Sequence, residues 1–386
     1  MKEGWTTKRL GDVCEIIKGR KPTLRNSPSN GDLPYLVAKV MRGTARPQYA
    51  SLKDRNAVAV EESETIIICD GSSSGEVFTG FRGVLSSTMG KISKKVSIDD
   101  EYLRAFLGST FEVFNGAKTG AAIPHLDKDA MYRLAVPLPP LDEQQRIVRI
   151  LDHAFEGIAT AKANAERNLA NAQALFEGHL QSVFTQRDSS HEMHQLRDVC
   201  EEITVGHVGP MATQYRATGI PFLRSQNIRP FRVVLDNLVF IDKRFHRALA
   251  KSSLRPGDVV IVRTGYPGTA AVIPETLTEC NCSDLVIARP GKEVDPHYLA
   301  LFFNSDHGKR LVAGRLVGAA QKHFNVTAAK QVGISLPSIS EQRRIAARLN
   351  TFRAETQRLA SLYQRKLSAL EALKRSFLHQ AFCGDL

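Results

Sequence analysis

Four polar side chains suited to meeting nucleic acid crowd into residues 221–229, PFLRSQNIR: Arg224, Gln226, Asn227 and Arg229. An arginine fork matches guanine or phosphate, and the amides of glutamine and asparagine match adenine. The chemistry open to such a cluster is recognition. The plainer alternative is a solvated loop in which Asn227 caps a turn. Lys18, Arg20 and Lys21, and Lys39 with Arg42, are candidates of the same kind near the N-terminus, where an ordinary charged hairpin would carry the same residues. Two apolar runs end in glycine turns, TIIICDGSSSG at 65–75 and VVIVRTGYPG at 259–268. Such turns offer backbone N–H groups to a phosphate or simply close hairpins, and Arg263 and Tyr266 could reach DNA from the second. Lys322 and His323 follow a Gly-Ala-Ala loop, with His125 in the equivalent earlier place; a shared structural role and phosphate contact both fit.

Residues for making or breaking bonds do not assemble into known patterns. There is no Asn/Asp-Pro-Pro-Tyr/Phe motif for an amino-methyltransferase, and Gly83 to Lys91 lacks P-loop spacing. HEMH at 191–194 is one residue short of a zinc-protease signature and reads as polar linker with Asp188, Ser189 and Ser190. Cys280 and Cys282 form a C-x-C without a second pair, whereas zinc needs four ligands. The six cysteines are scattered, and Cys14 and Cys200 share the context Asp-Val-Cys-Glu, which suits small buried residues in a reducing cytoplasm.

Positioning these residues takes sizeable domains. The 386 residues are 42% hydrophobic, enough for two or three cores. No run of 18 or more apolar residues suggests a membrane span, and MKEGWTTKRLGDV does not read as a secretory signal. A formal charge of +12 favours a polyanionic partner.

The chain repeats itself. PPLDEQQRIVRIL (139–151) matches PSISEQRRIAARL (337–349) at an offset of 198 that also relates His125 to His323, Leu175 to Leu373 and Phe184 to Phe382. Looser matches pair LGDVCE (10–15) with LRDVCE (196–201), Leu33–Leu36 with Ile220–Leu223, and Tyr102-Leu103 with Tyr298-Leu299. Each copy thus reads as a divergent domain followed by a better matched helix. Residues 142–185 and 340–384 contain no proline, and each stretch opens at a capping residue, Asp142 or Ser340. Apolar or small residues recur at steps of three and four: 147, 151, 154, 158, 161, 165, 172, 176 and 183, then 345, 349, 352, 359, 363, 370, 377 and 381. That is a coiled-coil seam, alanine-rich in the first helix and bulky in the second. Two helices paired along their length in one chain must run antiparallel. A helix of some 44 residues spans roughly 66 Å at about 1.5 Å per residue, against about 34 Å for a duplex turn, so the pair could act as a spacer.

The expected fold is α+β, with a pseudo-two-fold internal repeat. Two mixed α/β recognition domains (1–140 and 188–338) are separated by two long antiparallel helices forming a coiled coil (141–187 and 339–386). Residues 1–140 and 188–339 each carry a net +4, residues 141–187 a net −1 and residues 340–384 a net +6, and Asp385 brings the sum to +12. Basic domains suit phosphate. The charge on helix two could face DNA, dock an acidic partner or meet helix one. The repeated Glu143, Gln144 and Arg146, with Glu341, Gln342 and Arg344, either cap the helix starts or dock them onto the domain or a partner subunit.

A proline followed by Glu-Gln-x-x-Ile opening a long helix, twice in one chain, resembles the specificity subunit of Type I restriction-modification systems. PFLRSQNI (221–228) and VVIVRTGYPG strengthen the likeness, whereas LPYLVAKV (33–40) lacks the Arg-x-x-Asn-Ile pattern. The resemblance implies that each domain reads half of a split, asymmetric site in double-stranded DNA. It implies helices that set the gap and carry two methyltransferase subunits, which bring S-adenosylmethionine, with ATP and magnesium used by motor-nuclease subunits that join for restriction. The chain itself would hold no cofactor or metal and catalyse nothing, working in the cytoplasm. A self-sufficient two-headed DNA-binding regulator, a nuclease acting alone and a coiled-coil scaffold are the rival readings.

Overall fold

The computed structural model describes residues 4–111, 125–185, 192–317 and 323–386. They form two compact units: Met1–Ala165 with Arg365–Leu386, and Glu166–Gln364. The long helices, Leu141–Thr185 and Ile339–Cys383, are each shared between the units.

In the first unit, Thr6–Arg9 pairs antiparallel with Ala135–Leu138, and the short helix Leu10–Val13 leads into a four-stranded antiparallel sheet. Its strand order is Cys14–Lys18, Met89–Lys94, Ile66–Ile68, Val77–Phe78. A second sheet runs Tyr49–Ser51, Asp32–Leu36, Gly83–Leu85, Ala59–Val60, with Asp32–Leu36 and Gly83–Leu85 parallel. Ile66–Ile68 reads as an unbroken apolar run because both of its faces are covered. Ile67 packs with Leu10, Leu103 and Leu107 beneath the helices, while Ile66 and Ile68 pack with Leu36, Val60 and Leu85 of the second sheet. Fully burying side chains of this kind contributes about 1.5–3 kcal/mol each.

The second unit repeats this plan. Glu192–Gln195 pairs with Gly333–Leu336, and Leu196–Val199 leads into the order Cys200–Val205, Leu285–Pro290, Val259–Val262, Ala270–Val272. The second sheet runs Val239–Ile241, Ile220–Leu223, Cys280–Cys282, Ser253–Leu254, again with a parallel pair, Ile220–Leu223 and Cys280–Cys282. Val259 and Ile261 face Leu299 and Phe303, and Val260 and Val262 face Leu223 and Leu254. This unit adds a hairpin, Ile228–Arg229 with Arg232–Val233.

Within each unit the long helices run antiparallel. In the first, Lys162 pairs with Glu371 (2.6 Å), Lys374 lies over the Phe155 ring (5.1 Å), and Arg146 donates to the Leu386 carbonyl (2.7 Å). In the second, His179 meets Phe352 edge-on at 5.4 Å, and Phe176 and Leu180 pack with Ala346 and Leu349. Ile147, Leu151, Ile158, Ala165, Ala172, Leu349 and Ala381 of the expected seam are buried. Leu359 is exposed, and Thr356 is buried in the same stretch. The repeated leucines Leu175 and Leu373 are also exposed, at 55% and 45%.

Two expectations need correction. The helices begin at Leu141 and Ile339, so Asp142 sits inside the first turn, and it is Ser338, not Ser340, whose hydroxyl accepts the Glu341 N–H (3.3 Å). Residues 192–194 form a strand rather than linker, because pairing with Gly333–Leu336 satisfies their backbone; His191 lies outside the described residues. Cys280 and Cys282 are buried in the second sheet, where burial pushes the Cys280 thiol up to about 12. Among the described residues, no group of His, Cys, Asp and Glu could hold a metal ion, and no helix is long and apolar enough to cross a membrane.

Candidate nucleic-acid interface

Glu-Gln-x-x-Ile builds the same joint in both units. Asp99 caps the helix Asp100–Ser109, accepting from Glu101 N and Tyr102 N, and its own N–H donates to Gln144 Oε1 (2.9 Å). Gln144 Nε2 donates back to the Pro139 carbonyl (2.8 Å). In the second unit Asp295 caps Pro296–Asn304 and donates to Gln342 Oε1 (2.9 Å), while Gln342 Nε2 donates to Glu293 O (2.8 Å) and Pro337 O (2.9 Å). Tyr102 and Tyr298 complete each joint, their hydroxyls donating to Pro137 O and Ser335 O. Both glutamines are buried and latch the long helix onto its own domain. Arg146 and Arg344 each fork onto Glu143 and Glu341 one turn away, closing a local pair at the surface.

The glycine turns close hairpins, Gly71–Gly75 between Ile66–Ile68 and Val77–Phe78, and Gly265–Gly268 between Val259–Val262 and Ala270–Val272. The first spells Gly-x-Ser-x-Gly, a pattern of hydrolases. There it needs a strand-to-helix elbow, and here it joins two strands.

In each unit some of the dispersed candidates meet around this turn. In the first, Asp70 holds Lys18 (2.8 Å) and His125 (2.7 Å), and Glu76 holds Arg42, which also lies 6.0 Å over the Phe78 ring. Burial raises the Asp70 carboxyl, but the hydrogen bonds and charges of Lys18 and His125 outweigh it and leave it below its ordinary value. Lys18 and Arg42 therefore brace the turn. Arg20, Lys21 and Lys39 are exposed. The chain leaves the sheet at Gly19, where a Cβ would sit 2.2 Å from Ser86 O, so the backbone approach admits glycine alone.

In the second unit, Asp284 accepts from Arg263 Nη1 (3.0 Å) and Thr264 Oγ1 (2.9 Å), and its carbonyl accepts from Ser225 Oγ (3.4 Å). Arg263 also donates to Phe324 O (3.2 Å), so it ties loops together rather than projecting. Asn227 is likewise a correction. It is wholly buried, its Oδ1 accepts from Arg224 N, and its Nδ2 donates to Val234 O and Asp236 O. Every part of its amide is spent on the loop, so it shapes the loop instead of reading a base. Arg224 lies over the Tyr215 ring (5.6 Å) and donates to Asn237 O (2.9 Å), and its Nε is buried with no hydrogen-bond partner among the described residues. Gln226 and Arg229 are exposed, and Tyr266 is 80% exposed at the tip of the turn. Lys322 lies outside the described residues.

Sequence reasoning missed Tyr215, Asn237, Asp284, Phe231, Arg232 and Arg353. Phe231, Asn237 and Asp284 adopt left-handed φ of 68°, 54° and 52°. Residues other than glycine held in that region often mark functional loops. Only Asn237 and Asp284, types that tolerate the region, offered a hint in their identity.

A family model described as Type I restriction modification DNA specificity domain matches residues 2–167 and 193–364. The chain is 24% identical over 405 residues to the Type I restriction enzyme MjaVIII specificity subunit of Methanocaldococcus jannaschii, covering 100% of this chain and 93% of that one. It is 21% identical over 417 residues to the EcoBI specificity subunit of Escherichia coli, covering 100% and 86%. A solved chain from a study of complex assembly and conformational transition in the type I R-M system has a TM-score of 0.78 at 19% identity, covering 100% of this chain and 99% of that one. The HsdS subunit from Thermoanaerobacter tengcongensis gives 0.59 at 19% identity, covering 100% and 98%.

Proposed function

We propose that this chain, which belongs to the Type I restriction modification DNA specificity family, recognises a split, asymmetric DNA site through one loop cluster in each unit. One observation carries the reading: two units share sheet order, helix cap and glutamine latch, yet the glycine turn is braced by Lys18, Asp70, Arg42 and Glu76 in one and by Arg263, Thr264 and Asp284 in the other. A common scaffold with divergent loops suits two half-sites of different sequence. Arg20, Lys21 and Lys39 in the first unit, and Arg224, Gln226, Arg229 and Tyr266 in the second, are the side chains we assign to DNA.

In this reading the long helices set the gap between half-sites and carry two methyltransferase subunits. Those subunits bring S-adenosylmethionine, and motor-nuclease subunits using ATP and magnesium join for restriction. The chain supplies address and assembly in the cytoplasm and catalyses no step. The test is to map methylated adenines in cells carrying the complete system. Replacing 192–336 with the equivalent segment of a relative should exchange one half-site and leave the other. Removing about one helical turn from both long helices should shorten the gap and keep both half-sites. Change in both halves after the exchange, or changed half-sites at constant gap after the deletion, would overturn the reading.

A further inference from the structure

The hairpin found in the second unit alone among the described residues, Ile228–Arg229 with Arg232–Val233, closes one side of a cleft of about 670 Å³. The two long helices form the other side, through Phe176 and Arg353 among others. Three arginines line it: Arg229 and Arg232 on the hairpin, and Arg353 on the second long helix. Among the described residues none of the three forms an ion pair with a carboxylate. Glu177, on the first long helix, lines the same cleft and is exposed.

The cleft is built. Phe231, at the hairpin tip, takes a left-handed φ of 68°, and its N–H donates to Ala270 O (2.9 Å). Its ring meets Phe176 edge-on at 5.6 Å and carries the Arg353 guanidinium at 4.7 Å. Stacking occupies a face of that guanidinium and leaves its edge, where all five N–H donors lie, for a ligand. Burial, and then the charge of Arg232, lower the Arg353 guanidinium from its ordinary value, so the cation gains from an arriving anion. Arg232 repels Arg353 across the cleft, and among the described residues Glu177 forms no ion pair with either. Such an arrangement is stable when an oxyanion completes it.

We propose that this cleft is a phosphate clamp, in which Arg229, Arg232 and Arg353 grip the sugar-phosphate backbone of bound DNA. The proposal rests on the DNA-reading function above. DNA is favoured over an acidic protein segment because Arg229 continues directly from the loop bearing Arg224 and Gln226. A clamp of this kind holds the duplex in register without reading bases.

The test uses the full chain, with binding to a duplex bearing its methylated site and to a random-sequence duplex measured across a range of salt. Arg232→Gln, Arg353→Gln and the double variant should weaken both duplexes alike, by roughly tenfold for each guanidinium removed. The slope of log affinity against log salt should fall by about 0.9 for each phosphate released, and preference for the specific site should stay unchanged. Arg353→Lys, which keeps the charge, should restore much of the slope. Arg232 is exposed, so its variant tests the clamp even where Arg353→Gln perturbs folding. An unchanged slope in the variants, beside salt-dependent wild-type binding, overturns the clamp and leaves the DNA reading standing. So does a loss of site preference at constant slope, or a loss of methyltransferase assembly with DNA binding intact. Absence of salt-dependent binding by the wild type overturns the DNA reading itself.

Discussion

Removing the Gln342 side chain isolates what the repeated Glu-Gln motif does. The amide is wholly buried and joins three backbone groups, Asp295 N–H, Glu293 O and Pro337 O. In Gln342→Ala all three are left without it. A buried group left unsatisfied costs about 1–3 kcal/mol, with carbonyls at the lower end because each keeps a second lone pair. The total is about 3 kcal/mol, and about 2 kcal/mol for Gln144→Ala, where two groups are orphaned. For a unit of this size about 1 kcal/mol moves the thermal midpoint by about 2–4 °C. Calorimetry of the full chain should therefore show the second unit's transition lowered by about 6–12 °C in Gln342→Ala. Gln144→Ala should act on the first unit's transition. Hydrogen exchange at the Asp295 amide should quicken in step. Gln342→Glu keeps the acceptor for Asp295 N–H but sets a carboxylate against two carbonyls, and should destabilise at least as much as alanine. Arg344→Ala is the control: its pair with Glu341 is exposed, and the midpoint should not move. If Gln342→Ala melts with Arg344→Ala and wild type, the latch does not hold the helix to the domain.

Other outcomes follow from buried charge and from protonation. Arg289 donates to Asp258 through Nε (2.9 Å) and Nη2 (3.1 Å), and Asp258 is buried, so Arg289→Met should cost the second unit about 3 kcal/mol in chemical unfolding by stranding a carboxylate; a change near zero would mean the pair is solvated in solution. Asp70 has a lowered pKa in the folded chain, so its contribution is complete above the unfolded carboxylate value of about 4 and drains as pH falls through the folded one. Asp70→Asn should lower the first unit's stability at neutral pH and flatten its dependence on acid, and an unaltered acid profile would remove Asp70 from the account.

Much of this was legible in the sequence because it rests on local or periodic causes. Glu143-Gln144 and Glu341-Gln342 are found by matching the chain to itself, and the seam from Ile147 to Ala172 by helical period. Ile66–Ile68 and Val259–Val262 declare buried strands through composition. The limits of each helix shifted by one or two residues, since a cap depends on which hydroxyl meets which N–H, as with Ser338 against Ser340.

Residue order alone makes the chain a duplicated α+β protein with two long helices and a basic surplus, because periodicity, repetition and charge are written in it directly. Which polar side chains are available to a ligand was decided by tertiary structure. Asn227 and Arg263 carry the right chemistry for reading DNA and are spent on neighbouring groups of the fold, whereas Arg353, on the second long helix, joins Arg229 and Arg232 across a cleft. Hydrogen-bond capacity is used up by whatever the fold brings within about 3 Å, and residues distant in sequence meet at that range only after the chain has closed on itself.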